Sequence, residues 1–291
     1  MTQATPIPVG KYHTLKSGYR MHYHEWGAPT PGRPKLLFLH GGGPGASGYS
    51  NFKYNAPFMA EHGWHSLVPD FLGFGLSDKP ADLYYHSATH ILTIRELLKA
   101  RGITSIVPVG NSLGGGVALH YTMSHPEEVA KLILMAPGGL VDPRKFVGVS
   151  PGLQAMWNWA KTRPDSKAEA EASYRELLAK LVHDRADITD EAIAERIDIA
   201  MEQPMVLYET LQTPYYTIPQ LREITCPVLG FWGLHDQFLP YEQNEVLKEA
   251  LPDARIVLSD RSGHWVMIED RDRFNAECLD FLENGYGFEK E

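Results

Sequence analysis

Three residues far apart along the chain point to one chemistry. Ser112 sits at the centre of Gly110-Asn111-Ser112-Leu113-Gly114, between an apolar run ending at Val109 and a glycine-rich helical stretch through His120. Such a strand-to-helix turn is sharp. Small residues two before and two after the serine admit neighbouring backbone, and the hydroxyl stands clear at a helix N-terminus, where developing negative charge meets a positive dipole end. A serine hydroxyl is a poor nucleophile until a base takes its proton, and that base needs a third group to hold one tautomer. Asp236 follows the strand-like run 228–232 and His264 follows 255–258, so both are expected on loops after strands, where open α/β sheets gather their catalytic groups. The sequence predicts Ser112 as nucleophile, His264 as base and Asp236 as the group that orients it.

Attack by such a serine also needs fixed N–H donors aimed where an oxyanion will form. The string His40-Gly41-Gly42-Gly43-Pro44-Gly45, directly after the apolar run 35–39, offers backbone without side chains, and Gly42 and Leu113 are the expected donors. The overlapping Gly43-Pro44-Gly45-Ala46-Ser47-Gly48 also satisfies G-x-G-x-x-G, with Asp70 about twenty residues on, the pattern of a dinucleotide site. Pro44 stiffens that loop, 49–55 is a poor helix opening, and a dinucleotide would leave Ser112, Asp236 and His264 unexplained. No cofactor is expected. His86 and His90 are spaced to share a helix face but lack a nearby third ligand, so no metal is expected.

The elements that must position these residues follow from hydrophobic pattern. Residues 11–26 alternate polar and apolar around Ser17-Gly18, which predicts an antiparallel hairpin. Short runs at 35–39, 66–68, 105–109, 131–135, 228–232 and 255–258 are apolar at nearly every position. That suits strands buried on both faces, and the amphipathic stretches between them, such as 88–100 and 274–282, predict helices flanking a mostly parallel sheet. The rhythm breaks at 141–213, which predicts a helical cap inserted after the sixth strand, with the core formed by 1–140 and 214–291. Within the cap, Ser166-Lys167-Ala168-Glu169 reads as a capping box opening a helix towards His183. Thr189 with Asp190 and Glu191 opens a second helix that must stop before Pro204. There Ile193, Ile197, Ala200 and Met201 make an apolar stripe with Arg196 on its flank, and a cation in that place needs a reason.

Composition narrows the partners. A formal net charge of −9 without any basic run argues against nucleic acid and anionic membranes. Met1 to Gly10 lacks the pattern of a secretory signal, and no apolar run approaches the roughly 18 residues of a membrane helix, so a cytoplasmic protein is expected. Cys226 and Cys278 show no redox or zinc spacing and are read as reduced, buried thiols.

Taken together, 39–48, Ser50-Asn51, 110–115, Met135-Ala136-Pro137-Gly138-Gly139 and Gly263-His264-Trp265 resemble the meta-cleavage-product hydrolases, α/β-hydrolases that cut a carbon–carbon bond in dienoates left by ring-opening dioxygenases. The resemblance implies the α/β-hydrolase fold and a small-molecule substrate of the 2-hydroxy-6-oxohexa-2,4-dienoate type. It implies a homo-oligomer, and a polar subsite lined by Asn51, Asn111, Arg196 and Trp265 beside the loop of Gly41, Gly42 and Gly43. An arginine suits a carboxylate because its planar fork can bind both oxygens. The chain departs from the family at 181–184, less aromatic than usual, and at 233–237, which lacks the charged residues often found beside the acid. A carboxylesterase or lactonase using the same three residues is the alternative. Met156, Trp157, Trp159 and Met201 could form an apolar acyl subsite or simply pack.

Overall fold

In the computed structural model, residues 7–284 are described, apart from Val147 and Val149. The strands are β1 (Lys11–Thr14), β2 (Arg20–Trp26), β3 (Lys35–Leu39), β4 (Ser66–Pro69), β5 (Ile106–Asn111), β6 (Leu132–Met135), β7 (Val228–Gly233) and β8 (Arg255–Ser259). They form one sheet in the order β1-β2-β4-β3-β5-β6-β7-β8. The first two pair antiparallel as a hairpin and β2 lies antiparallel to β4, while the pairs from β4 to β8 are parallel. Every residue of β5, β6 and β7 is buried, which is why these strands read as unbroken apolar runs: helices cover both faces of a parallel sheet. The edge strand β1 is mostly exposed and keeps its lysine and histidine.

Register brings the functional loops to one edge. Leu39 pairs with Gly110, Asn111 with Met135, Met135 with Phe231 and Gly233 with Ser259, so the carboxyl ends of β3, β5, β6, β7 and β8 lie side by side. The loops carrying His40, Ser112, Asp236 and His264 all leave from that line.

The chain between β6 and β7 is helical, with its longer helices at Pro151–Thr162, Lys167–Leu178 and Asp190–Glu202. Each begins where a hydroxyl satisfies an orphan amide: Ser150 accepts from Leu153, Ser166 from Glu169 and Thr189 from Ala192. Two local expectations change. At the second of these helices the Glu169 carboxylate accepts the Ser166 hydroxyl (2.8 Å) rather than returning to the backbone, so the reciprocal box is incomplete. That helix also ends at Leu178, short of His183, because the chain beyond it bonds elsewhere: the Leu181 carbonyl accepts the His264 amide (2.7 Å) and the His183 amide donates to Glu269 (2.6 Å). The Asp190–Glu202 helix stops before Pro204 as its sequence requires. Trp159 packs on Tyr174 at 5.2 Å and donates to Ser173, so it serves packing, and Met201 lies half-buried against the core.

The segment 49–55, read as a poor helix opening, begins with a helix at Gly48–Phe52, because Ser47 and Ser50 cap each other reciprocally. Asp70 is a buried brace whose oxygens take the amides of Gly48 and Leu76 and the Nδ1 of His22. His86 caps the Ser87–Ala100 helix through the Ala88 amide, while His90 is wholly buried beside Phe71, and burial drives its imidazole down to about 3. The two imidazoles therefore do not share a binding face. Cys278 is buried, but Cys226 is only half-buried, and both are free thiols.

Candidate active site

Ser112 occupies a conformation that its neighbours make possible. Its φ of 54° and ψ of −113° lie outside the regions L-residues favour, and the strain is held by surrounding bonds: its amide donates to the Met135 carbonyl (2.9 Å) and its carbonyl accepts from Gly116 and Gly138. Gly114 is required on packing grounds, since a Cβ there would lie 2.0 Å from the Leu39 carbonyl oxygen. The hydroxyl is thereby presented at the start of the Leu113–Ser124 helix.

His264 and Asp236 meet across the loops after β8 and β7. The Nδ1–H of His264 donates to Asp236 Oδ2 (2.7 Å), which leaves Nε2 as the acceptor. Asp236 is held in turn by the Phe238 and Leu239 amides, both on Oδ1. Phe238 stacks on the His264 ring at 5.1 Å, and Asn111 reaches the His264 carbonyl (3.3 Å), tying the base to the strand that carries the serine. Ser112 and His264 both line one cavity of about 490 Å³, within the size range of small-molecule sites.

Gly42 and Leu113 face the same cavity. They are close neighbours, because a Cβ on Gly42 would lie 3.2 Å from the Leu113 Cβ. As the first residue of its helix, Leu113 has an amide with no intrahelical partner. The preceding turn is fixed by His40, which donates from Nδ1 to the Gly41 carbonyl (2.7 Å) and accepts the Phe71 amide at Nε2 (3.0 Å). Burial lowers the His40 pKa, consistent with the neutral ring this pairing needs. Gly41 lies against Ser112 and Asn111, where a side chain would meet Asn111 Oδ1 at 2.9 Å, whereas Gly43 borders open space. Asn51 donates to Asn111 (3.3 Å).

Arg196 lies on the wall of this cavity, 2% exposed, with its guanidinium 4.7 Å over the Trp265 ring. It donates to the carbonyls of Ser50 (2.5 Å) and Ala192 (3.0 Å) and stands 3.6 Å from Glu195. Burial lowers its pKa, because the protein removes water from a cation without fully replacing it. Asp190, on the same helix, pairs with Arg175 (2.7 Å). Thus Asn51, Asn111, Arg196 and Trp265 come together beside Ser112.

A family model described as the alpha/beta hydrolase fold matches residues 34–271. The 2-hydroxy-6-oxo-6-phenylhexa-2,4-dienoate hydrolase of Burkholderia cepacia is 31% identical over 98% of this chain and all of its own length. The 2-hydroxy-6-oxononadienedioate/2-hydroxy-6-oxononatrienedioate hydrolase of Paraburkholderia phymatum is 32% identical over 96% of this chain and 97% of its own. Among solved structures, a meta-cleavage product hydrolase from Pseudomonas fluorescens superposes with a TM-score of 0.80 at 28% identity, covering 95% of this chain and 98% of that one. The chain belongs to the meta-cleavage-product hydrolases of the α/β-hydrolase family. In this hydrolase no helix among the described residues is long and apolar enough to cross a membrane, and no described cluster of three or more His, Cys, Asp or Glu side chains is placed to hold a metal.

Two residues of this hydrolase's site carry no signal in the sequence. Gln203 is wholly buried. Its Oε1 accepts the Gly45 amide (2.9 Å) and the Tyr208 hydroxyl (2.8 Å), and its Nε2 donates to the Gly73 carbonyl (2.9 Å). Glu269 accepts the amides of His183, Gly263 and Trp265, bracketing His264 on both sides. A glutamine before a proline and a glutamate ending the short helix Val266–Glu269 are commonplace in sequence, and only the tertiary contacts give them a role.

Proposed function

We propose that the chain hydrolyses the carbon–carbon bond of a 2-hydroxy-6-oxohexa-2,4-dienoate-type compound in the breakdown of aromatic compounds. One observation carries the reading: a buried arginine, stacked on the tryptophan after the histidine, shares a cavity with the serine and its base. An ester hydrolase has no need of a desolvated cation beside its nucleophile. A reaction that expels a carbon leaving group does, because the electrons must pass into a carbonyl conjugated with a carboxylate.

In this reading Arg196, with Asn51, Asn111 and Trp265, holds the carboxylate and 2-oxo end, and Gly41 and Gly43 let the backbone approach the substrate. The bound dienol loses its 2-hydroxyl proton and gains one at C5, becoming a ketone, and the cation stabilises the dienolate between those states. Ser112, or water activated by His264, then adds to the C6 carbonyl while Gly42 and Leu113 donate to its oxygen. Breaking C5–C6 sends the electron pair to the 2-oxo oxygen through the conjugated chain. With one water consumed, the products are a 2-hydroxypenta-2,4-dienoate and a carboxylic acid. Residues 141–213 serve as the cap over the cavity, and the enzyme works as a cytoplasmic homo-oligomer, points that light scattering and cell fractionation test.

The deciding assay sets the 6-phenyl dienoate, followed by loss of its visible absorbance, against a p-nitrophenyl ester. The expected kcat/KM is at least about 100-fold higher for the dienoate, equivalent to roughly 2.7 kcal/mol in transition-state binding. Faster turnover of the ester overturns the reading in favour of an esterase or lactonase.

A further inference from the structure

The lining of the cavity has two chemically different parts. One is Trp265 with the Arg196 guanidinium above it. In the other, Phe238 stacks on the His264 imidazole with the planes 21° apart. Behind Phe238 runs the Pro151–Thr162 helix, so close that a Cβ at Gly152 would lie 2.2 Å from the phenyl ring. That helix contributes Leu153, Met156 and Trp157 to the cavity wall, and Leu239 continues the same surface. Among the described lining residues Arg196 is the only lysine or arginine, and it lies over Trp265. The only carboxylate is that of Glu209, an exposed residue.

We infer that this second part accepts an uncharged apolar group at C6 of the dienoate, aryl or alkyl, and excludes a substituent that carries another carboxylate. The inference rests on the carbon–carbon reading and deepens it. Relatives bearing either type of substrate in their names are about equally similar to this chain, so overall identity does not choose between them. The wall does. A carboxylate entering beside Leu153 and Met156 loses its hydration with no second cation to receive it, whereas a phenyl or alkyl group gains by leaving water. Trp157 and Phe238 offer ring surfaces suited to an aryl group.

Steady-state kinetics with three substrates test this: the 6-phenyl and 6-methyl dienoates and 2-hydroxy-6-oxononadienedioate. The expected kcat/KM for the diacid is at least about 100-fold below that of the better uncharged substrate. A diacid turned over within tenfold of it overturns the inference while leaving the carbon–carbon reading intact. If none of the three is cleaved, that reading fails and the inference falls with it. A second arm installs the missing charge. Leu153→Lys should raise the diacid-to-phenyl ratio at least about tenfold, and an unchanged ratio in a folded variant counts against the placement of the substituent. Should that variant not fold, the wild-type comparison alone decides.

Discussion

The imidazole of His264 is locked to Asp236, because the carboxylate that accepts its Nδ1–H at 2.7 Å is itself pinned by two backbone amides on the other oxygen. The acid can neither rotate nor be replaced without changing the tautomer. In Asp236→Asn the side-chain oxygen keeps the two amides and its NH2 faces Nδ1, so the ring must carry its proton on Nε2 and cannot take one from Ser112. We expect kcat to fall about 10³–10⁴-fold with the fold retained, as circular dichroism beside dienoate turnover would register. A loss below tenfold would remove Asp236 from the mechanism.

Arg196 provides a separable prediction. Arg196→Lys keeps a charge but loses the planar fork, and Arg196→Ala loses both. Stopped-flow absorbance should show ketonisation slowed by about 10²-fold in the alanine variant and less in the lysine one, while a p-nitrophenyl ester is hydrolysed at close to the wild-type rate. Both variants should also lose about 1–3 kcal/mol of stability, since the carbonyls of Ser50 and Ala192 lose a buried donor. An equal fall on ester and dienoate would mark Arg196 as structural.

The glycines of the site are not equivalent. Gly114→Ala forces a methyl into the Leu39 carbonyl, at a cost of about 2–4 kcal/mol in urea unfolding, and displaces the serine with it. Gly43→Ala meets nothing within 4 Å, so its stability should stay within about 0.5 kcal/mol of wild type. Equal destabilisation of the two would contradict the packing described for the elbow.

Glu269 predicts a pH dependence. Burial pushes its carboxyl up to about 7, against the pull of three backbone N–H groups that favour the anion. Its folded value lies above the unfolded one near 4.5, so the folded state holds the proton more tightly. The stability this confers is complete below about 4.5 and is lost as pH rises through about 7. The unfolding free energy of wild type minus that of Glu269→Gln should therefore fall as pH rises across that window, by roughly 3 kcal/mol. Chemical denaturation at several pH values measures it, and a difference that stays flat or grows would refute the assignment.

How much of this was written in the sequence depends on whether a residue's role is local. The interior strands were legible because a parallel sheet covered on both faces demands apolar residues at every position. Ser112 was legible because its backbone conformation needs small neighbours at fixed offsets, Asp236 because it follows such a strand, and His264 because it follows the apolar run of the edge strand β8. Arg196 could be placed only on the flank of a stripe. Its burial arises where the Ser50 carbonyl and the Trp265 ring, distant in sequence, meet the Asp190–Glu202 helix. The early end of the Lys167–Leu178 helix has the same origin, since the backbone at Leu181 and His183 is engaged by His264 and Glu269. Helical periodicity cannot report a competing partner from the other end of the chain.

The position of Gln203 has a mechanical consequence. Its carboxamide grips Gly45 on the glycine loop and Gly73 after β4, and Arg163, at the end of the Pro151–Thr162 helix, donates to its backbone carbonyl (2.8 Å). A segment fastened this way cannot swing open as a free flap. Any movement of the segment either breaks buried hydrogen bonds, each costing about 1–3 kcal/mol, or carries the glycine loop along with it. Displacement of this segment is thus coupled to the glycine loop that borders the cavity.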